Sequence, residues 1–348
     1  MAATTRSLVV NARGAKFTKE EMPLLPVRGG RLKIEIEYSG ICHSDIHQAR
    51  NEWFEGIFPM VPGHEIVGRV VEIGPKVSKF SVGDRVGVGT FVESCRKCDY
   101  CLAGHENYCT AGNVQTYNGR HYDGTPTYGG YARHIVVDQD YVLRIPEGLD
   151  PAGAAPLLCA GITVFSPLRH WDIGPGKTVA VLGFGGLGHL AVKFAAAMGA
   201  QVYVLGHTKA KKADAKKFGA IDYLSVDAAQ ADHDNFFDLI LNTTSADIPV
   251  DSLLRLLRVG GTLVNVGLPG NSQSYNPFGL VTGLKSIAGS NTGGIAETQL
   301  MLDFASVYNI TAKHELVSAA KAKAIDEAYE RVVASDVRYR FVIDATTI

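Results

Sequence analysis

The sequence predicts an α/β protein of two domains, a β-rich domain followed by a doubly wound parallel sheet that opens near Lys177. Three observations predict it. The chain has 348 residues, more than one ordinary hydrophobic core organises. Its first part is built of short alternating stretches cut by glycine turns. From Lys177 onward, continuous apolar runs alternate with helical stripes.

Composition narrows the function classes. Hydrophobic residues make up 46% and charged residues 20% of the chain, the balance of a soluble globular protein. A formal net charge of -1 offers nothing to draw nucleic acid or an anionic membrane, so neither partner is expected. The opening residues, Met1-Ala2-Ala3-Thr4-Thr5-Arg6, lack the apolar centre of a signal peptide, and no apolar run is long enough to span a bilayer. A cytoplasmic location is expected. Thiols stay reduced there, and grouped cysteines point to metal rather than disulfides.

Residues 7–38 read as short strands, clearest in Leu32-Lys33-Ile34-Glu35-Ile36-Glu37-Tyr38 with its period of two. A short helix is expected within residues 40–47, and residues 63–86 return to strand with turns at Gly68, Gly74 and Gly83-Asp84. Here His64 and Glu65 stand side by side amid apolar residues, which is costly unless something pairs with them. A zinc ion would do so through the imidazole; a histidine bonded to a backbone carbonyl is the other reading.

Cys95, Cys98, Cys101 and Cys109 follow at spacings that suit a closed tetrahedral zinc site, with four soft donors and no open position. Little around them is hydrophobic enough to fold the lobe 95–109, so the metal would supply the folding energy. A redox pair or a disulfide clip would leave two of the four unexplained. A nucleic-acid-binding ribbon is disfavoured, because Arg96 and Lys97 are offset by Asp99 and Glu106 and no basic stripe forms.

The buried-type strand Lys177-Thr178-Val179-Ala180-Val181-Leu182 runs into Gly183-Phe184-Gly185-Gly186-Leu187-Gly188. A helix then presents Leu187, Leu190, Ala191, Phe194, Ala195 and Met198 on one face. A glycine triplet between strand and helix is the dinucleotide fingerprint of a Rossmann-type domain. Gly183 permits the tight turn, Gly185 lets backbone approach a pyrophosphate, and Gly188 lets helix and sheet pack closely. Free N–H groups at the helix start, around Gly186 and Leu187, would meet the phosphates.

After the next strand, Gln201-Val202-Tyr203-Val204-Leu205, an NAD enzyme usually places an acid on the ribose. This chain has Gly206, His207, Thr208 and Lys211 with no acid before Asp214, which favours the 2′-phosphate of NADP(H). The plainer reading makes these lysines a solvated helix start. Strands at residues 238–242, 262–266 and 286–288 complete the doubly wound unit, and two helices and a strand over 339–343 are expected to return to the first domain.

Together these residues resemble the zinc-dependent medium-chain dehydrogenase/reductase superfamily, within it the cinnamyl-alcohol-dehydrogenase-like branch. The likeness rests on Gly63-His64-Glu65 with Gly68, Gly74 and Val77, on the four-cysteine lobe, on residues 157–163 and on Val337-Arg338-Tyr339-Arg340-Phe341. It covers nearly the whole chain. It implies a GroES-like catalytic domain over 1–155, a Rossmann domain over 156–293 and a return over 294–348. It also implies a second, catalytic zinc held by Cys42, His64 and Cys159, three protein ligands that leave a fourth position open, the Cys₂His set of alcohol dehydrogenase.

The same resemblance places Glu65 beside that metal as an alternative ligand and gives Asp45 a supporting role behind the histidine. Ser44 and His47 match a hydroxyl-to-imidazole proton relay; Ser44 could also cap its helix. Thr163, Ser290 and Asn291 fall near the nicotinamide, and Arg340 at the pyrophosphate. Trp53 and Asn291 line the substrate pocket. Asn291 stands where lignin-pathway members carry a bulky apolar residue, which argues for broad specificity. The implied activity is hydride transfer between NADP(H) and primary alcohols or aldehydes, mainly as aldehyde reduction of aromatic and medium-chain substrates. A homodimer is implied as well. A polyol or secondary-alcohol dehydrogenase is the rival enzyme, and a non-catalytic NADPH-binding protein the rival from another class.

Overall fold

The structure, a computed structural model, describes residues 3–207 and 209–348. Two compact units emerge, Met1–Ile162 with Gly293–Ile348, and Thr163–Thr292. The first break thus falls later than the expected boundary after residue 155. The short helices Pro151–Ala154 and Ala155–Leu158 stay with the first unit because their apolar side chains pack there: Leu157 and Leu158 are fully buried, and Leu158 closes against Gly87.

Among the described residues the first unit is built on a sheet in the order His314–Ser318, Arg340–Asp344, Arg31–Ile41, Ile66–Ile73, Arg85–Val88 and Leu143–Arg144, with His134–Asp138 branching onto Arg31–Ile41. All pairings are antiparallel except that of the first two strands. Leu32, Ile34 and Ile36 alternate inward along Arg31–Ile41, as their period of two requires, and enter a core with Val70, Val86, Ile135 and Phe341. The helix Lys323–Val333 adds Ile325, Ala328, Tyr329 and Val332, one apolar stripe. His314–Ser318 was not expected as a strand, since its half-exposed residues show no clean alternation.

The second unit is a parallel sheet in the order Asp222–Leu224, Gln201–Leu205, Thr178–Leu182, Phe237–Asn242, Leu257–Asn265 and Ser286–Gly289. In chain order that is the Rossmann arrangement, 3-2-1-4-5-6, which reverses between Thr178–Leu182 and Phe237–Asn242. Dinucleotides bind outside the strand ends at such a reversal. The glycine loop lies there, leading from Leu182 into the helix Gly188–Ala197, and Thr243 N–H donates to Leu182 O at 3.0 Å. Leu190, Ala191, Phe194 and Ala195 are fully buried, with Leu187 and Met198 half-buried at either end.

The three fingerprint glycines differ in what surrounds them. Gly183 has φ +89°, a conformation that favours glycine, and a Cβ there would come within 2.5 Å of Thr244 Cγ2. A Cβ on Gly188 would collide with the carbonyl oxygen of Gly183. Gly185 faces open space on that side. Gly188→Ala is therefore expected to destabilise the chain by about 1–3 kcal/mol, whereas Gly185→Ala stays within about 1 kcal/mol of the parent. Denaturant or thermal unfolding of the two variants checks the contrast, and equal losses would refute it.

Candidate active site

Sheet register brings distant residues together. Phe341 pairs with Ile41 and Ile66 with Ser39, so Arg340, Cys42 and Glu65 lie at neighbouring positions just where the strands end. Gly40 N–H donates to Glu65 O at 2.9 Å, and the missing side chain of Gly40 makes room for the Glu65 carboxylate. Cys42 stands at the start of the helix His43–Ala49, and the Ala155–Leu158 turn delivers Cys159. One ligand atom from each of Cys42, His64, Glu65 and Cys159 falls within 4.8 Å of every other. The two sulfurs are 4.0 Å apart.

Burial governs the charge of this cluster. The bond with Cys159 and the nearby His64 hold the Cys42 thiol well below its usual range despite burial. Cys159 moves the opposite way, through the same bond and its own desolvation. Two buried thiols so close do not both ionise unaided. Burial also pushes the Glu65 carboxyl up to about 7 against the attraction of Arg340, whose guanidinium donates to it. Glu65 Oε2 and Arg340 Nε are buried and without hydrogen-bond partners. A divalent cation would settle both thiolates and take up the orphaned carboxylate, and two sulfurs with an imidazole are a zinc donor set. The residues fit the metal.

Asp45, wholly buried, accepts His64 Nδ1–H at 3.1 Å. That leaves the other ring nitrogen as the donor to a metal. Burial disfavours charge on His64, but Asp45 and then Cys42 outweigh it and raise its pKa. Arg340 lies buried and donates to Glu65, because the register that aligns strand Arg340–Asp344 carries its first residue to the cluster.

Ser44 Oγ lies 3.5 Å from Cys42 Sγ. His47 Nδ1 is 2.5 Å from Glu52 Oε2, and its ring stacks on Trp53 at 4.4 Å between centroids. Among the described residues no direct hydrogen bond links Ser44 to His47. Glu52 was missed from the sequence, although a carboxylate just beyond His47 on a short helix was the available signal. Also missed were Tyr131, whose hydroxyl donates to Asp45 Oδ2 at 3.1 Å, and Tyr117, whose ring stacks on His64. Neither carries a spacing that marks it.

Cys95, Cys98, Cys101 and Cys109 form the other cluster, again with ligand atoms within 4.8 Å of one another. Cys95 N–H donates to Cys109 Sγ and Cys98 N–H to Cys95 Sγ, both at 3.4 Å, the way a backbone supports thiolates. Backbone N–H groups bring Cys98 down to about 6, while burial lifts Cys101 to about 12. Four sulfurs and no carboxylate suit a closed zinc site.

In the second unit Lys211 Nζ donates to Phe184 O at 3.2 Å, so the cation is tied to the glycine loop. Gly186 and Leu187 are half-buried at the start of the helix. Gly206 is backed closely by the Tyr223 hydroxyl, His207 is exposed, and Thr208 lies outside the described residues. Thr163 is buried in the helix Ala160–His170. Ser290 N–H donates to Asn265 O at 3.1 Å, and Asn291 is exposed. Trp53 belongs to the first unit and Asn291 to the second.

Residues 28–147 match the alcohol dehydrogenase GroES-like domain and residues 186–307 the zinc-binding dehydrogenase domain. The protein named "Probable formaldehyde dehydrogenase AdhA" of Bacillus subtilis is 54% identical over 99% of this chain and 98% of its own. The chain belongs to the zinc-dependent medium-chain dehydrogenase/reductase superfamily. An "NADP-dependent alcohol dehydrogenase C 1" of Mycolicibacterium smegmatis is 53% identical to this dehydrogenase over 99% of both chains. A cinnamyl alcohol dehydrogenase structure from Sorghum bicolor superposes on it with TM-score 0.94 at 40% identity, over 99% of this chain and 98% of that one. These matches place the dehydrogenase in the cinnamyl-alcohol-dehydrogenase-like branch.

Metal analysis tests both clusters. The purified dehydrogenase is expected to hold about two zinc ions per chain, one for each four-donor group. Cys42→Ala is expected to lose one while Cys98→Ser loses the other together with several degrees of thermal stability, since a closed site contributes folding energy. One zinc in the parent chain would remove a cluster from the metal reading.

Proposed function

We propose that this chain is a zinc-dependent, NADP(H)-dependent alcohol dehydrogenase that works mainly as an aldehyde reductase on primary, aromatic and medium-chain substrates. The observation that carries the reading is the convergence of Cys42, His64 and Cys159 in one buried cluster beside Glu65. Zinc held there supplies Lewis acidity toward a substrate oxygen, and NADP(H) supplies or accepts hydride.

The protein's own residues do the rest. The thiolates of Cys42 and Cys159 and the imidazole of His64 would hold the ion, and a three-ligand set would leave a position for substrate. Asp45 keeps the His64 proton on Nδ1. Glu65, pressed into the cluster and held by Arg340, is an alternative oxygen donor. A proton must pass between the reacting oxygen and water while the site stays dry. Ser44 marks the inner end of that path and His47, a quarter exposed and bonded to Glu52, the outer end, and a bridging hydroxyl or water would have to join the two.

In the second unit the open face of Gly185 admits a pyrophosphate, and Lys211 beside the loop meets the 2′-phosphate. The want of an acid after Leu205 supports NADP(H) over NAD(H). The six cysteines form no disulfide, which supports a reducing, cytoplasmic home. No single helix among the described residues is long and apolar enough to cross a membrane.

Aldehyde-dependent NADPH oxidation tests the activity. The parent chain should turn over benzaldehyde and medium-chain aldehydes faster with NADPH than with NADH. Cys42→Ala or His64→Ala should lower kcat/KM at least about a hundredfold, because metal activation of the oxygen is worth several kcal/mol. Undiminished turnover without the zinc ligands would sink the reading, and a strong preference for polyols would transfer it to the rival enzyme.

A homodimer is part of the same proposal. Among the described residues the edge strand Ser286–Gly289 has a neighbouring strand on one side alone, and Val259, Phe278, Val281 and Leu284 near it are each about 70–80% exposed. An unpaired edge beside exposed apolar side chains supports pairing with a second copy. Light scattering should give about twice the 37.3 kDa chain mass. Val281→Lys should yield monomers, and a monomeric parent would overturn the assignment.

A further inference from the structure

Asp45 is the carboxylate behind His64, and every direction around it is occupied. Oδ1 accepts from Gly63 N–H at 3.1 Å and from His64 Nδ1–H at 3.1 Å. Oδ2 accepts from Cys42 N–H at 2.9 Å and from the Tyr131 hydroxyl at 3.1 Å. A carboxylate offers about four lone-pair sites, so none is left over. Of the four donors, two are backbone amides of the segments that carry the metal ligands and one is a ligand itself. Of these four, Tyr131 is the one that comes from elsewhere in the chain, and the buried Tyr117 hydroxyl also interacts with the same carboxylate.

The ring of Tyr131 is fully buried and closes on the residue before the ligand: a Cβ on Gly63 would come within 2.6 Å of its Cδ1. Its backbone N–H donates to Pro62 O at 3.0 Å. A phenol has one proton. With that proton given to Asp45, the Tyr131 oxygen is free to accept, and the Tyr329 hydroxyl donates to it at 3.4 Å. Tyr329 stands on the helix Lys323–Val333, and its ring meets Phe17 edge-on at 5.2 Å. The donors thus run in one direction, from Tyr329 to Tyr131 to Asp45, while His64 donates to the same carboxylate from the other side.

We infer that Tyr131, backed by Tyr329, is a positioning residue for the zinc ligand His64. The hydroxyl fixes the plane of the Asp45 carboxylate, so that Oδ1 faces His64 Nδ1 and the remaining ring nitrogen stays aimed at the metal. Without it Oδ2 keeps one partner, the carboxylate can rotate, and His64 loses its preset tautomer and angle. A purely structural tyrosine would contribute its ring alone.

The inference rests on the metal reading of the cluster, and one set of measurements on the full-length, zinc-loaded protein separates the two. Tyr131→Phe keeps the ring and removes the hydroxyl. Its catalytic-site zinc should bind about 10- to 100-fold more weakly in chelator competition, the usual cost of losing an outer partner. The four-cysteine zinc should be unaffected. Cobalt substituted at the catalytic site should show a shifted ligand-field absorption. Tyr329→Phe should weaken the same site less, and Tyr131→Phe with Tyr329→Phe together no more than Tyr131→Phe alone. Parent-like zinc affinity and cobalt spectrum in Tyr131→Phe would overturn the inference. If that variant does not fold, parent-like zinc affinity in Tyr329→Phe overturns it instead. A parent chain that binds no zinc at Cys42 and His64 would defeat the metal reading itself.

Discussion

The first unit depends on keeping ionisable groups together where water is excluded. Cys42, His64, Glu65, Cys159, Asp45 and Arg340 are all at least nine-tenths buried except Cys42, which is only partly exposed. Removing such groups from water costs several kcal/mol per charge unless each finds a partner. The antiparallel register supplies the partners: it sets Arg340 beside Glu65 and delivers Cys42 and His64 to either side of Asp45. The sheet is stable by virtue of its apolar alternation, and it lends part of that stability to a polar cluster that would not assemble alone. Gly40 and Gly63 are small because Glu65 and Tyr131 occupy the space their side chains would need.

What the sequence disclosed depended on how local the signal was. The four lobe cysteines and the glycine fingerprint are each contained within a short stretch, and their spacing alone carries the chemistry. The alternation of Leu32, Ile34 and Ile36 and the stripe from Leu187 to Met198 were equally readable, because they follow the period of one element. Cys42, His64 and Cys159 have no such spacing. Their convergence is a property of sheet register and of a turn far along the chain, so only the family resemblance could join them. The unit boundary was misplaced for a related reason: the helices after Pro151 are apolar enough to belong to either core, and packing on Gly87 decides between them. The contact of Arg340 with Glu65 and the parts played by Tyr131 and Glu52 were not legible, since no local rule says which way a lone side chain will face.

The two clusters differ in what their surroundings ask of a metal. Around the four cysteines the chain is mostly turn, with the short helix Asp99–Leu102 and little apolar cover, and Tyr100 and Leu102 are exposed. There an ion replaces a core. Around Cys42 the core is already complete, and an ion instead resolves a conflict of charge left by burying two thiols and a carboxylate. The lobe is nonetheless anchored, because Glu106 accepts Ile295 N–H at 3.1 Å at the start of the helix Ile295–Val307. A carboxylate at a helix N-terminus is favoured by the dipole and satisfies an otherwise open donor.

One short helix divides the labour on the proposed reading. His43–Ala49 has seven residues, and positions two apart on a helix face nearly opposite ways. Asp45 points inward, wholly buried, and serves the metal ligand. His47 points outward, a quarter exposed, and its Nδ1 meets Glu52. The two requirements conflict at any single residue. A carboxylate that orients a ligand must be dry and immobile, whereas an imidazole that passes protons must reach water. Spacing them by two residues lets one short helix satisfy both, with Cys42 at its start.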